Sequence, residues 1–394
     1  MRKRIGVHRT LAKPAVDVRT ALFLFSDTGG GHRTAAQAIA AALSRMSPAD
    51  SLRAEMVDVF AACGVFPLRE GIKSYGTLLK VRPSPYSALY HLSNGRTRTR
   101  IMTEFAKPFM RGKFRRLLAR MAPSMLVSVH PLLNGITRES IDSMRMQVPF
   151  VTVITDLVTI HHSWTADAPA DHYIVASPEA KRVCLARDIP ESRVHDLGLP
   201  IREGFHPVAD SAEAKRALGL DVTRKTLLMM AGGEGGGRLF AILRHIAPRV
   251  RALGLQLVAI AGRNLSLQRR LQKMAAKFGP DTRVVGFVDN VAEYMRASDA
   301  LLTKAGPGAI CEAAACGLPI IVCDYISGQE AGNLAYVESR EAGIVALEPE
   351  AVDDCIRRLF GADGSLLKRL REGALASARP RAADDIARFL LRLM

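Results

Sequence analysis

A chain of 394 residues, 48% of them hydrophobic, carries enough apolar side chain for two ordinary domains with cores of their own. Its 55 Lys and Arg against 38 Asp and Glu leave a formal charge of +17, so an acidic surface is the partner to look for. Six cysteines show no C-x-x-C spacing, the first twenty residues are basic without an apolar stretch, and no apolar run reaches 18 residues; the chain is predicted to be neither exported nor membrane-spanning.

In chain order, the apolar run Ala21–Phe25 meets a polar break and three glycines, Gly29, Gly30 and Gly31, before an alanine-rich segment with helical spacing. This predicts a buried strand, a glycine loop and a helix, the opening of an α/β unit. The spacing is neither G-x-G-x-x-G with a following acid nor a Gly-Lys-Ser/Thr loop. His32 closes the loop, where an imidazole either caps the helix or reaches into a cleft as a base. Arg53–Val59 reads as the second strand.

The stretch from Arg69 to Arg120 then holds 13 Lys or Arg against two acids, Glu70 and Glu104. Tyr75, Tyr86, Tyr90, Phe105, Phe109 and Phe114 are interleaved with them. Cations among aromatic and aliphatic side chains suit an anionic bilayer. A plain solvated face with no partner is the alternative, though it does not need so many aromatics. A nucleic acid suits less well, since no nucleic-acid module is recognisable. Helices and loops broken by Pro67, Pro83, Pro85 and Pro108 are expected here.

Met125–His130, Phe150–Asp156, His172–Ser177 and Arg193–Leu197 read as further strands, and Gly198–Arg202 as a joint. The pattern restarts at Thr226–Ala231, which runs into Gly232, Gly233 and a second glycine-rich loop before another helix. Strands follow at Leu255–Ala261, Arg283–Phe287, Ala300–Lys304, Pro319–Cys323 and Ile344–Leu347. Alternating strands and helices predict an α/β protein with parallel sheets covered by helices. Two halves that each open with a strand, a glycine loop and a helix predict two similar domains facing across a cleft.

Lys304–Glu312 gives a strand end, a glycine turn with Gly306 and Gly308, and a helix carrying Glu312. A diphosphate there would meet backbone N–H groups and the positive end of the helix. Glu312 then suits either the hydroxyls of a ribose or simple stabilisation of the helix start. Gln329 and Asn333 are four residues apart, on one helical face, able to offer amides to sugar hydroxyls or to solvent.

The motifs DTGGGHRTAA at Asp27–Ala36, SVHP at Ser128–Pro131, TDLVTIHHSW at Thr155–Trp164 and GLPIR at Gly198–Arg202 resemble the monogalactosyldiacylglycerol synthases. So do GGEGGG at Gly232–Gly237, GFV at Gly286–Val288 and the long run Lys304–Asn333. That family includes processive diacylglycerol glucosyltransferases and is related to the peptidoglycan N-acetylglucosaminyltransferases. The resemblance implies GT-B architecture, two Rossmann-like domains: an acceptor- and membrane-facing domain over residues 1–202, a UDP-sugar domain over 203–380, and a terminal helix at 381–394 returning to the first. It implies inverting transfer of galactose from UDP-galactose to 1,2-diacylglycerol. A UDP-glucose-dependent enzyme is the alternative, and a non-catalytic protein binding anionic lipid or nucleic acid a third reading.

Carried over by residue, His32 resembles the acceptor-side base, and Asp156, at a strand end between the domains, either orients a base or accepts a sugar hydroxyl. Phe287 and Val288 resemble the uracil wall, Gly232, Gly233, Gly306 and Gly308 the diphosphate surroundings, and Glu312 the ribose acid. Gln329, Glu330 and Asn333 resemble residues near the donor sugar. Where the plant enzymes have Cys-His-Pro-Thr-Trp, this chain has Ile160-His161-His162-Ser163-Trp164, so redox control through that cysteine does not carry over. With no Asp-x-Asp, no metal is expected, and no cofactor beyond the donor substrate. The expected partners are UDP-galactose or UDP-glucose, diacylglycerol and anionic membrane lipids, with no nucleic acid and no firm protein partner. The expected place is the cytoplasm, peripherally on the inner face of the cell membrane.

Overall fold

The computed structural model describes residues 18–27, 30–48, 51–64, 90–166, 170–230, 232–233, 238–278, 281–361 and 363–394. The first glycine-loop motif is therefore described except at Thr28 and Gly29, and the basic segment except at 65–89, which includes Tyr75 and Tyr86. Residues 234–237 of the second loop likewise lie outside the described residues.

Among the described residues, twelve strands form two sheets, every pairing parallel. The first contains β1 (Arg19–Phe25), β2 (Leu52–Asp58), β3 (Met125–Ser128), β4 (Phe150–Val153), β5 (His172–Val175) and β6 (Val194–Asp196), in the order β2-β1-β3-β4-β5-β6. The second contains β7 (Thr226–Met230), β8 (Gln256–Ile260), β9 (Thr282–Val285), β10 (Ala300–Lys304), β11 (Ile320–Asp324) and β12 (Gly343–Val345), in the order β12-β11-β10-β7-β8-β9.

The continuous apolar runs are explained by burial on both faces. In β1, Leu22 and Leu24 join one core with Phe114, Phe150 and Trp164, while Ala21 and Phe23 join another with Ile39 and Leu43. A strand packed on both sides needs no polar alternate positions. The helix Gly31–Met46 lays Ala35, Ala38, Ile39, Ala42 and Leu43 inward. Its small side chains admit the terminal helix Ala382–Leu393, whose Ile386, Ala387, Phe389 and Leu390 enter the same first-sheet core. Each large apolar side chain so buried contributes roughly 1.5–3 kcal/mol.

The returning chain crosses at Gly198. With φ at +90°, a Cβ there would stand 2.9 Å from Arg379 Cδ and 3.1 Å from Ala382 Cβ, so glycine is required by both backbone and space. Arg379 holds the crossing by donating to both carboxylate oxygens of Asp196, at 2.6 and 3.0 Å.

Within the basic segment, the helices Arg96–Ala106 and Arg111–Met121 flank a short turn at Lys107–Phe109. The aromatics there divide. Phe114 and Tyr90 are buried, whereas Phe105, Phe109, Ile101 and Leu92 face outward, Phe105 at 69% exposure. Phe114 is thus core, because its helix lies against the sheet; only the outward group remains for a surface partner.

Candidate active site

An open parallel sheet opens a crevice where its strand order reverses, beyond the carboxyl ends of the strands. In the first sheet the reversal lies between β1 and β3. β1 feeds the loop bearing His32 and β3 feeds His130, and the two rings meet edge to face with centroids 4.7 Å apart. His32 Nδ1 lies 3.1 Å from the Thr155 hydroxyl beyond β4, and Trp164 tilts over the ring at 6.0 Å. Burial pushes the His32 imidazole down to about 4, opposed by the Val129 carbonyl beside it. His130 is held well below its ordinary value by burial and by His32. Both are neutral at pH 7, and neutral imidazole is the form that accepts a proton. When Nδ1–H donates to Thr155, Nε2 keeps the lone pair.

Asp156, 4% exposed, sits one residue past Thr155. Its Oδ2 accepts from Trp164 Nε1 at 2.7 Å and from the His161 amide at 3.4 Å, and its Oδ1 from Gln329 Nε2 at 3.4 Å. Burial pushes its carboxyl up to about 6 despite those donors, with Glu330 adding to the rise. Asp156 therefore orients the indole that covers His32 and ties it to Gln329 of the other lobe. A pH profile of turnover should bend near 6 as acid neutralises this carboxylate, and Asp156→Asn should remove the bend; a profile unchanged by the substitution would assign the limb elsewhere.

The second sheet reverses between β7 and β10, whose ends carry Gly232 and Gly233 on one side and Gly306 and Gly308 on the other. The Gly306 amide turns back on the Lys304 carbonyl at 2.7 Å and Pro307 has none, so the first outward N–H groups of the helix Pro307–Ala315 begin at Gly308. Glu312 lies in that helix, partly open to solvent, its carboxyl pushed up to about 7 by burial and eased down by Arg202. Phe287 is 50% exposed, with the Arg263 guanidinium 4.2 Å over one face, while Val288 packs against the second core.

The three remaining predicted donor residues differ in setting. Gln329 reaches across to Asp156. Asn333 is fully buried, donating to the Ala305 carbonyl at 2.8 Å and leaving its Oδ1 without a partner among the described residues. Glu330 is 3% exposed; one oxygen pairs with Lys304 Nζ and the other accepts from the Ile326 amide at 2.8 Å. Its carboxylate is thus taken up inside the loop in this structure.

The stretch from Gly328 to Arg340 is also where the lobes touch. Gly328, at φ +86°, has Tyr90 packed so close that a Cβ would stand 2.5 Å from its ring. The Gly332 amide donates to Thr159 Oγ1 at 3.2 Å, and Arg340 donates to both oxygens of Glu179 at 3.0 and 3.1 Å. Both crevices therefore open onto one cleft. Sequence reasoning assigned no part to Thr155, Trp164, Lys304 or Arg263. Thr155 and Trp164 were legible only as the ends of a motif, whereas Lys304 left a signal of its own, a lone cation ending an apolar strand.

Comparisons with known proteins agree with this geometry. UDP-bound MnaA of S. aureus superimposes with a TM-score of 0.61 at 13% identity, covering 96% of this chain and 98% of the other. MurG of Acinetobacter baumannii does so at 0.59 and 13%, covering 95% and 99%. At such identities these show the fold, which is GT-B. The family model for the glycosyltransferase family 28 C-terminal domain matches residues 226–362. The protein is accordingly a glycosyltransferase of GT-B architecture. The model for monogalactosyldiacylglycerol (MGDG) synthase matches residues 32–201. The probable chloroplastic monogalactosyldiacylglycerol synthase 2 of Oryza sativa subsp. japonica is 32% identical over 397 residues, 98% of this chain and 83% of the relative. Monogalactosyldiacylglycerol synthase 1 of Arabidopsis thaliana, also chloroplastic, is 33% identical over 386, covering 95% and 70%. The chain belongs to the monogalactosyldiacylglycerol synthase family.

Proposed function

We propose that this enzyme transfers galactose from UDP-galactose to the free hydroxyl of 1,2-diacylglycerol, with inversion and without a resident cofactor, making monogalactosyldiacylglycerol. The observation that carries the reading is the pair of switch-point crevices on one cleft, His32 in one and the glycine turns with Glu312 in the other, joined through Asp156 and Gln329. Family membership supports galactose. In the step, the lipid hydroxyl attacks the anomeric carbon opposite UDP while its proton passes to His32 Nε2. The bond from that carbon to the β-phosphate oxygen breaks, and UDP leaves with the electron pair. Gly308 and the helix start behind it face the charge that develops.

Incubation with diacylglycerol vesicles and either UDP-galactose or UDP-glucose, with mass and linkage analysis of the lipid, tests this directly. Galactolipid from the first donor alone is the expected result. Glucolipid would replace galactose in the reading, and no glycolipid from either would end it.

The acceptor is dissolved in a bilayer, and among the described residues no helix is long and apolar enough to cross one. The reading therefore includes peripheral docking on an anionic membrane, the inner face of the cell membrane. Leu92, Ile101, Phe105 and Phe109 are exposed, and so are Arg96, Arg98, Lys113 and Arg116 of the same stretch, which offers both apolar and cationic side chains to a bilayer. Arg111 and Arg115 contribute less to such docking, because both are paired with Glu139. Lys113→Ser with Arg116→Ser should weaken flotation with anionic vesicles by up to roughly thirtyfold, at about 1 kcal/mol per juxtamembrane cation. Phe105→Ser with Phe109→Ser should weaken binding to neutral vesicles too, in a manner that salt does not mimic. Equal wild-type binding to neutral and anionic vesicles, indifferent to the first pair, would defeat electrostatic docking.

A further inference from the structure

The reversal of the second sheet puts a cation, Lys304, at the end of β10 beside the crevice between β7 and β10. β7 lies between β10 and β8, so the glycine turn that follows β7 is flanked by whatever ends those two strands. β10 ends in Lys304, and the pairing of β10 with β11 is irregular between Thr303 and Lys304. On the Lys304 side, a Cβ placed on Gly232 would stand 3.4 Å from Lys304 Cε. One placed on Gly306 would stand 3.5 Å from Lys304 Nζ and 3.7 Å from Glu330 Oε1. Lys304 therefore runs between the two glycine turns, its stem along one and its ammonium in front of the other. On the opposite side the loop after β8 brings Arg263, whose amide donates to the Gly233 carbonyl at 3.0 Å. Its guanidinium lies over Phe287.

We propose that Lys304 is a catalytic residue of this enzyme, the cation that binds the donor's diphosphate and takes up the charge it gains on departure. The proposal rests on the reading of this lobe as the UDP-sugar site. Three features support Lys304 in this part. Glu330, almost fully buried, pairs with its ammonium, so the cation is already held beside Gly306 before a donor arrives. Gly232 puts no side chain against the Lys304 stem, and Gly306 puts none against its ammonium. An ammonium carries three donors, so one can remain on Glu330 while others turn to phosphate oxygens. Charge on the bridging oxygen rises as the bond to the sugar breaks, and a fixed cation in a recessed site stabilises that state more than the bound donor. The backbone donors at Gly308 supply partial charges; Lys304 adds an ammonium whose charge it shares with Glu330.

Calorimetric titration of the full chain with UDP, UMP and uridine isolates the contact, because only the first presents the diphosphate. Lys304→Met should weaken UDP at least about tenfold while uridine stays within about twofold, with UMP between them. Lys304→Arg should recover most of the loss. Turnover of Lys304→Met at saturating donor should also fall. The proposal is overturned if Lys304→Met binds UDP as the wild type does, or if UDP and uridine weaken equally, which is the signature of a damaged loop. It is overturned as well if Lys304→Arg loses as much UDP affinity as Lys304→Met while both keep uridine. Failure of the wild type itself to bind UDP would remove the reading of the lobe instead, so the two failures are distinct.

Discussion

His32→Ala lowers turnover by roughly 10²–10⁴-fold, the range for loss of a general base, while UDP binding in the other lobe holds. The expected size follows from the chemistry of the acceptor. A lipid hydroxyl keeps its proton at neutral pH, and within the first-sheet crevice the imidazole beside Thr155 is the neutral acceptor placed at the end of β1. Burial, which pushes His32 down to about 4, keeps it unprotonated across the working range, so its own acid limb lies well below the limb of Asp156. His130 is neutral as well, but it sits deeper, at 5% exposure, with its Nδ1 facing the Leu132 amide at 3.4 Å. Separate measurement of lipid glycosylation and UDP affinity checks the assignment. Wild-type turnover in His32→Ala would hand the role to another group, and a parallel loss of UDP affinity would point to a folding defect.

Most of the fold could be read because the information is local. A buried parallel strand leaves a short apolar run, and a glycine loop before an alanine-rich segment marks where the chain turns into a helix. All twelve strand positions derived from such runs correspond to strands in the two sheets. What could not be read is which strand ends meet. His32 and Thr155 are separated by 123 residues, and Asp156 and Gln329 by 173; neither pairing leaves a trace in spacing. Trp164 was legible only as part of a motif, since its hold on Asp156 depends on how the turn at His162–Trp164 folds back beneath β4.

Glu330 shows a different limit. A carboxylate in a polar cluster at a strand end looks the same in sequence whether it faces a sugar or a lysine, and only packing reveals that Lys304 and the Ile326 amide occupy it. The basic segment shows a third. Counting cations and aromatics identified a surface of mixed character, but Phe114 and Phe105, nine residues apart, end in opposite environments, one in the core and one in solvent. Helical period within each helix could not sort them, because the turn at Lys107–Phe109 resets the phase between the two.

Glu312→Gln weakens UDP binding by roughly 10–150-fold, the equivalent of losing a charged hydrogen bond worth about 1.5–3 kcal/mol. The helix Pro307–Ala315 starts at the glycine turn and carries this side chain about one turn further along. A carboxylate offers two charged acceptor oxygens to a pair of ribose hydroxyls, whereas the amide of glutamine offers a single acceptor oxygen and no charge. Burial pushes the free carboxyl up to about 7, eased by Arg202, so its ionised form is lost as the pH falls below neutral. Only the ionised form accepts from two hydroxyls, so UDP binding must expel a proton below that pH. UDP affinity should therefore fall about tenfold per unit as pH drops below about 7 and level off above it. The sign is opposite to that of a phosphate titration compensated by a protonated base, which would favour binding in acid. In Glu312→Gln the slope should shrink to the part that the terminal phosphate of UDP contributes by taking up its own proton, and the affinity should approach the acid-side value of the wild type. Calorimetry in two buffers of different ionisation enthalpy counts the released proton independently of affinity. A wild-type protein that binds UDP with no proton release between about pH 6 and 7, and a Glu312→Gln variant of unchanged affinity, would take the ribose away from Glu312 and leave it the part of stabilising its helix.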